Sequence, residues 1–212
     1  MLDGLKRTLS DRILNPIARP LAKTNLTPNH ITLLGLALIL ANCAAYLWHQ
    51  SNLWFGLGLT LSFTFDALDG ALARVQGTAS KFGGYLDAVI DRYQEFAVYL
   101  TIAWITGWWV VSFLALGGSL LVSYTKARTA MEIPIANHNW PDLMERFERL
   151  ALLCTALVLD QLIALPAFLG GRVLYLALVV IAVLSQVTAI QRFFRARALI
   201  LGCAQEKDRP SQ

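Results

Sequence analysis

Long apolar runs separated by short polar stretches make up most of this chain. Each run is close to the ~20 residues that an α-helix needs to cross the hydrocarbon core of a bilayer. Six such runs can be drawn from the hydropathy pattern: 31–48, 53–74, 82–105, 108–131, 148–168 and 173–193. The pattern therefore predicts an all-α, polytopic membrane protein with six transmembrane helices.

A different pattern precedes the first run, where apolar residues recur at helical spacing and basic residues occupy the remaining faces. The apolar residues are Leu2, Leu5, Leu9, Ile13, Ile17 and Leu21. The basic residues are Lys6, Arg7, Arg12, Arg19 and Lys23. We expect an N-terminal amphipathic helix in the interface of an anionic leaflet, with a break at Pro16. An ordinary surface helix packed on the bundle explains the same pattern.

Composition supports the membrane class. The chain has 212 residues, is 56% hydrophobic and 15% charged, and has a mean hydropathy of +0.53, which is too apolar for an ordinary soluble domain. No nucleic-acid partner is expected for such a chain. The three cysteines have neither metal-binding nor redox spacing, so they are predicted to be small core residues: Cys43, Cys154 and Cys203.

The distribution of basic residues indicates the orientation of the chain. Of the 18 Lys and Arg residues, only Arg172 lies in the loops 49–52, 106–107 and 167–172. The others lie in the two tails, in the remaining loops and at the adjoining helix ends. By the positive-inside rule, both termini are predicted to be cytoplasmic in a cell or inner membrane.

The chain shows no internal repeat and no low-complexity tract, so we expect one membrane domain over residues 1–212. Its predicted parts are a juxtamembrane amphipathic helix at 1–25, a six-helix bundle at 26–195 and a polar tail at 196–212.

Four aspartates interrupt the second and third apolar runs. Asp66 and Asp69 are spaced i, i+3, and Asp87 and Asp91 are spaced i, i+4, so each pair lies on one helix face. Asp66 and Asp91 are each about 12 Å along their helices from the cytoplasmic end. The four carboxylates are therefore predicted to meet at one level, in a cavity that opens to the cytoplasm.

Such a cluster needs compensating cations, and two kinds are available. Ion pairs with Arg74 and Arg92 account for two of the carboxylates and leave two others. Unpaired charges at membrane depth are costly and usually functional, and Mg²⁺ and Mn²⁺ prefer oxygen ligands. The rival interpretation, an ion or proton transporter, needs acidic groups spread across the membrane depth.

The aspartates belong to a longer pattern. It reads Asp66-x-x-Asp69-Gly70-x-x-Ala73-Arg74, followed after eight residues by Gly83-x-x-x-Asp87-x-x-x-Asp91. This pattern is similar to the signature of the CDP-alcohol phosphotransferases, with all eight fixed positions present at the family's spacing. The chain is therefore identified as a member of that family by resemblance, which also implies a homodimer.

The resemblance assigns roles to these residues. It implies that Asp66, Asp69 and Asp87 are ligands of a site for two Mg²⁺ or Mn²⁺ ions, and that Asp91 is the catalytic base and a further ligand. With Asp66 and Asp69, the residues implied to surround the CDP moiety are Gly70, Ala73, Arg74, Ser80 and Gly83. Asn29 belongs to a Pro-Asn-x-x-Thr element that lies near the nucleotide in the family; helix capping explains it equally well.

A basic cluster at the same membrane level is predicted to hold a phosphate on the acceptor alcohol: Lys126, Arg128, Arg146 and Arg149. Members that use inositol 1-phosphate resemble the chain at these positions. Positive-inside anchoring explains the same residues without a ligand. One departure is Gln94-Glu95, where the family implies a smaller polar residue beside an acidic one.

The resemblance implies a membrane transferase of phospholipid biosynthesis. It would move a phosphatidyl group from CDP-diacylglycerol to inositol 1-phosphate and release CMP. Within the family, the alternatives are glycerol 3-phosphate or serine as acceptor, or CDP-inositol as donor. Outside the family, the alternative is the transporter.

Overall fold

The computed structural model describes residues 14–24, 26–133, 144–163, 166 and 171–207, and every regular element in this part of the chain is an α-helix. The helices are α1 (Asn15–Leu21), α2 (Pro28–His49), α3 (Asn52–Asp66), α4 (Leu68–Gln76), α5 (Lys81–Thr106), α6 (Trp109–Glu132), α7 (Arg146–Leu159) and α8 (Val173–Lys207). The all-α prediction is confirmed for the described residues.

Three of the described helices are long and apolar enough to cross a membrane. These are Pro28–His49, Trp109–Glu132 and the segment Val173–Gly202 of α8. Helices α3 and α7 have 15 and 14 residues, which is shorter than a span, and α5 has 26 residues but carries several charges. Length and composition therefore identify the protein as a membrane protein with at least these three candidate spans.

The predicted second run, 53–74, is not one continuous helix, and this part of the prediction is wrong. Helix α3 ends at Asp66 and α4 begins at Leu68, with Ala67 between them. Hydroxyl side chains before the break donate to the backbone carbonyl four residues earlier, as Thr60 does to Gly56. Such bonds compete with the helix ladder and bend helices.

Two other helix ends differ from the prediction. The fifth run was predicted over 148–168, but α7 ends at Leu159. Asp160 follows as its C-cap, and the Asp160 carboxylate accepts from the Leu174 N–H in the first turn of α8. The sixth run was predicted to end at residue 193, but α8 continues to Lys207 and so includes much of the predicted polar tail.

The N-terminal helix α1 packs on α4, where Leu14 and Ala18 are buried beside Leu72. Ile17, which the predicted apolar stripe includes, is 44% exposed. The contacts of α1 fit the alternative of a surface helix packed on the bundle. The stripe residues before Leu14 lie outside the described part of the chain, and Pro16 lies in the first turn of α1.

The main hydrophobic core fills one half of the bundle. It lies between the second halves of α2 and α5 and the first half of α3, and is extended by α6, α7 and α8. Tyr46 stacks on Phe55 with ring centroids 4.1 Å apart, and both are fully buried. The opposite half, where α3 ends and α5 begins, contains the aspartates.

Candidate active site

Three of the four predicted metal ligands converge. Asp66 comes from the last residue of α3, and Asp87 and Asp91 come from successive turns of α5. One carboxylate oxygen from each lies within 4.8 Å of the other two. Asp66 is 4% exposed and Asp91 is 8% exposed. We call these three residues the aspartate triad.

Asp69 lies outside the triad although it lines the same cavity. The hydroxyl of Thr32 donates to Asp69 Oδ2 at 2.5 Å, and the Gly70 N–H donates to Oδ1 at 2.5 Å. The break at Ala67 separates Asp69 from the helix of Asp66. Its role as a metal ligand stays a prediction, with both oxygens engaged by protein donors in this structure.

Arg146, at the start of α7, places its guanidinium among the triad carboxylates. Its Nη2 lies 2.7 Å from Asp91 Oδ1 and 3.2 Å from Asp66 Oδ2. The sequence assigned Arg146 to the acceptor phosphate, but did not predict its contact with the aspartates. Arg92 of α5, an ion-pair partner that the sequence offered, is a second cation, with its Nη2 3.4 Å from Asp91 Oδ2. Two guanidinium groups therefore stand beside three carboxylates, which leaves the triad with an excess of potential negative charge.

The Gln94-Glu95 pair lies one turn beyond Asp91 on α5. Gln94 donates through Nε2 to Asp66 Oδ1 at 2.9 Å and accepts from Arg146 Nη2 at 2.7 Å. Glu95 accepts from Arg149 Nη2 at 3.0 Å and from the Ser119 hydroxyl. Sequence reasoning noted the pair only as a departure from the family pattern. Its i+3 and i+4 spacing from Asp91 is the signal that could have placed both residues beside the site.

The triad fits a hard divalent cation. Its donors are carboxylate oxygens, which Mg²⁺ and Mn²⁺ prefer. Asp91 Oδ1 is buried and has no hydrogen-bond partner among the described residues, because the nearby Arg146 N–H is not directed at it. Arg146 compensates part of this charge, and a divalent cation would supply the further positive charge that three adjacent buried carboxylates need.

Residues predicted to surround the CDP moiety meet at the start of α5. A Cβ atom on Gly83 would lie 3.2 Å from Ser80 Oγ and 3.5 Å from Asn29 Oδ1, so these three residues are neighbours. Ser80 caps α5 by accepting from the Gly83 N–H at 3.0 Å. Helix α2 is capped by Thr27 together with His30, so capping does not explain Asn29.

On α4, Gly70 and Arg74 are also neighbours. A Cβ on Gly70 would lie 3.5 Å from Arg74 Nη1, and Ala73 is partly buried on the same helix. These residues follow Asp69 on the helix that begins after the break. The predicted CDP-binding residues therefore come from three neighbouring elements: the start of α2, α4 and the start of α5.

All four predicted aspartates line a cavity of about 1310 Å³, whose other walls are largely apolar. Of the predicted acceptor residues, Lys126, Arg146 and Arg149 line the cavity, whereas Arg128 does not and pairs with Glu132 at 2.5 Å. The Arg149 side chain is 1% exposed and is held by Glu95.

Arg192 of α8 also lines the cavity, and sequence reasoning placed no site residue on that helix. It is 4% exposed and donates to the Val122 carbonyl of α6. Its position in a long apolar run of α8 is the signal that could have identified it. The cavity thus joins carboxylates, cationic side chains and apolar surface, which suits a ligand with phosphate groups and a lipid tail.

Comparison with known proteins finds a family model and individual relatives that the chain resembles. A model of the CDP-alcohol phosphatidyltransferase family matches residues 25–203. The archaetidylinositol phosphate synthase of Pyrococcus horikoshii is 35% identical over 187 residues, covering 87% of this chain and 90% of that protein. The phosphatidylinositol phosphate synthase of Streptomyces avermitilis is 34% identical over 208 residues, covering 93% of this chain and 83% of that protein.

Solved structures of Mycobacterium tuberculosis phosphatidylinositol phosphate synthase share the fold. The structure with CDP-DAG bound aligns with a TM-score of 0.75 at 28% identity, covering 87% of this chain and 94% of that chain. The complex with manganese and citrate aligns with a TM-score of 0.73 at 27% identity, covering 87% and 88%.

Proposed function

The chain belongs to the CDP-alcohol phosphatidyltransferase family, and on that premise we propose that it transfers a phosphatidyl group from CDP-diacylglycerol to inositol 1-phosphate. The observation that carries the proposal is the aspartate triad with Arg146 beside it on the wall of one large cavity. The names of the relatives favour this acceptor over glycerol 3-phosphate or serine.

The reaction joins the acceptor hydroxyl oxygen to the phosphorus that carries the diacylglycerol. The bond from that phosphorus to the bridging diphosphate oxygen breaks, and CMP leaves with that oxygen. Asp66, Asp69, Asp87 and Asp91 would hold two magnesium or manganese ions, which would supply positive charge for the diphosphate and for the cytidylate that leaves.

Asp91 is proposed to accept the proton of the attacking hydroxyl. It lines the cavity, and its Oδ1 accepts no hydrogen bond from the described residues, so a hydroxyl donor would bind that oxygen beside the Arg146 ion pair. Arg146 lies 2.7 Å from the same oxygen and brings positive charge to the point where an acceptor phosphate would lie. The base and the acceptor are thereby placed together.

The donor nucleotide is proposed to lie against Asn29, Ser80 and Gly83, with Gly70, Ala73 and Arg74 along its other side. The absence of a side chain at Gly83 leaves space that a Cβ would take from Ser80 and Asn29. A phosphate group can approach a backbone closely only where such space exists. Arg74 supplies a guanidinium, which suits phosphate oxygens.

The acceptor phosphate is proposed to bind Lys126 and Arg146, with Arg149 and Arg128 as further members of the basic cluster. Lys126, Arg146 and Arg149 line the cavity. The Arg149 guanidinium is engaged by Glu95, so it would act mainly by fixing the wall, and Arg128 would have to leave Glu132 to reach a phosphate.

We also propose the finer membrane arrangement. The six spans would be α2, α3 with α4, α5, α6, α7 with the residues that follow it, and α8, with both termini and the cavity mouth on the cytoplasmic side. The N-terminal segment would lie at the membrane interface beside α4. The protein would form a homodimer, as the family resemblance implies.

An assay with purified protein and CDP-diacylglycerol tests the proposal. Radiolabelled inositol 1-phosphate should be converted to a lipid with stoichiometric CMP release, and excess EDTA should abolish the reaction. Conversion of inositol, glycerol 3-phosphate or serine at comparable rates would contradict the acceptor assignment. Use of CDP-inositol as donor would contradict the donor assignment, and full CMP release in EDTA would contradict the metal site.

A further inference from the structure

We infer that Gln94 is a positioning residue that fixes the Asp66 carboxylate and the Arg146 guanidinium relative to each other. The inference rests on the proposed function, because Asp66 is proposed as a metal ligand and Arg146 as an acceptor contact. Gln94 itself does not line the cavity and is 0% exposed. It therefore acts through its two neighbours.

The two ends of the Gln94 amide make opposite bonds. Nε2 donates to Asp66 Oδ1 at 2.9 Å, and Oε1 accepts from Arg146 Nη2 at 2.7 Å. A neutral amide can donate to a carboxylate through its NH₂ group and at the same time accept from a guanidinium through its oxygen. If the amide were rotated by half a turn, its oxygen would face the Asp66 carboxylate and its NH₂ group would face the Arg146 guanidinium. The two partners therefore fix the orientation of the amide.

The contact limits how Asp66 can move. Helix α2 also confines Asp66 Oδ1, because Gly35 lies close to it: a Cβ atom added at Gly35 would be 2.9 Å from this oxygen. With Oδ1 held by Gln94, Oδ2 is the Asp66 oxygen that faces Arg146, at 3.2 Å. Gln94 thus determines which oxygen Asp66 presents to the rest of the triad.

The contact also limits how far Arg146 can enter the triad. Arg146 Nη2 lies between the Gln94 carbonyl and the Asp91 and Asp66 carboxylates. Without Gln94, the guanidinium would still pair with the carboxylates and lie over the Phe63 ring, and it would compete with a divalent cation for the carboxylates. The same loss would leave the guanidinium less well placed for an acceptor phosphate.

Gln94→Met tests the inference because methionine has nearly the same length and volume but cannot replace either hydrogen bond. Gln186→Met is the matched control, since Gln186 donates to the Leu114 carbonyl between α6 and α8, away from the triad. Mn²⁺ affinity would be measured from the electron paramagnetic resonance signal of free Mn²⁺, with metal-stripped full-length protein in detergent and no substrate. Thermal unfolding would be recorded in parallel.

The Mn²⁺ dissociation constant of Gln94→Met should rise by about tenfold or more, the usual loss when a partner of a metal ligand is removed. Its KM for inositol 1-phosphate should also rise by about tenfold, since one bond to a charged group is lost. Gln186→Met should match the wild type in both values.

Unchanged Mn²⁺ affinity and unchanged KM in Gln94→Met would show that Gln94 only fills space and would overturn the inference alone. If Gln94→Met does not fold, Gln94→Asn replaces it, because the shorter amide cannot reach both partners. Weaker Mn²⁺ binding and a higher KM in Gln94→Asn would then support the inference, and unchanged values would overturn it. A wild-type protein that binds no Mn²⁺ would overturn both the inference and the proposed function.

Discussion

Two regions toward opposite ends of this bundle contain buried carboxylates, and they differ in how that charge is balanced. One is the aspartate triad, and the other is the Asp160 cluster, formed by Asp160, Asn52, Tyr46 and Arg172. At one end, the Asp160 side chain is 2% exposed and accepts from Asn52 Nδ2 at 2.6 Å and from the Leu174 N–H at 2.8 Å. Arg172 lies 3.7 Å away, and the Tyr46 hydroxyl completes the network by donating to Asn52. One carboxylate therefore meets two neutral donors and one cation.

The aspartate triad has the opposite balance. Three carboxylates lie within 4.8 Å of one another, and Asp91 Oδ1 accepts no hydrogen bond from the described residues. Arg146 and Arg92 are close, but they are two cations beside three acids. Burial alone does not distinguish the two regions, but the ratio of carboxylates to cations does: three to two in the triad, and one to one at Asp160. The Asp160 cluster joins helices, whereas the triad is the proposed metal site.

The largest expected effect comes from removing the proposed base. Asp91→Asn should fold and still bind CDP-diacylglycerol, because Asp66, Asp69 and Asp87 remain. Its turnover should fall by about 10²–10⁴, the usual contribution of a positioned general base. Steady-state CMP release and donor binding by the purified variant measure this. Near-normal turnover would show that Asp91 is not the base and that the triad, like the Asp160 cluster, does not take part in proton transfer.

Arg146→Ala should show the next largest effect. Loss of a charge-assisted contact to a phosphate costs about 1.5–3 kcal/mol, so KM for inositol 1-phosphate should rise roughly ten- to a hundredfold. The apparent affinity for CDP-diacylglycerol should change little.

The matched control for Arg146→Ala is Arg172→Ala, which removes the cation of the Asp160 cluster. Its kinetic constants should match those of the wild type. Equal KM values in the two variants would mean that Arg146, like Arg172, only balances charge or anchors the helix at the membrane surface.

The smallest effect on catalysis is expected from Asp160→Asn. The new amide keeps an acceptor for the Leu174 N–H but loses the acceptor for Asn52 Nδ2, which costs about 1–3 kcal/mol of stability. The thermal unfolding midpoint in detergent should fall while turnover changes by less than twofold. A large loss of turnover at an unchanged midpoint would show that the Asp160 cluster is functional after all.

Helical spacing predicted the meeting of Asp87 and Asp91 because α5 is continuous over that stretch. It failed for Asp66 and Asp69, since the i, i+3 argument assumes a continuous helix and the helix breaks at Ala67. No single residue such as Pro marks that break in the sequence. The break follows side-chain hydroxyl groups that donate to backbone carbonyls, and the spacing of the aspartates carries no information about such bonds.

The sequence predicted which basic residues lie at the cavity better than it predicted the side chains to which they bond. Arg146 and Arg149 share a helix face, and the structure places both on the cavity wall. Their pairing with Gln94 and Glu95 depends on how α5 and α7 approach each other, which is a tertiary property. Arg192 was missed for the same reason, because helix α8 is distant in sequence from the aspartates.

Mn²⁺ binding by metal-stripped protein tests most directly which cluster holds the metal. We would compare the wild type with two isosteric variants, Asp87→Asn in the triad and Asp160→Asn in the other cluster. The account predicts that Asp160→Asn binds Mn²⁺ like the wild type, whereas Asp87→Asn loses at least about tenfold in affinity. Equal binding by the two variants, or no binding by the wild type, would contradict the assignment of the aspartate triad as the metal site.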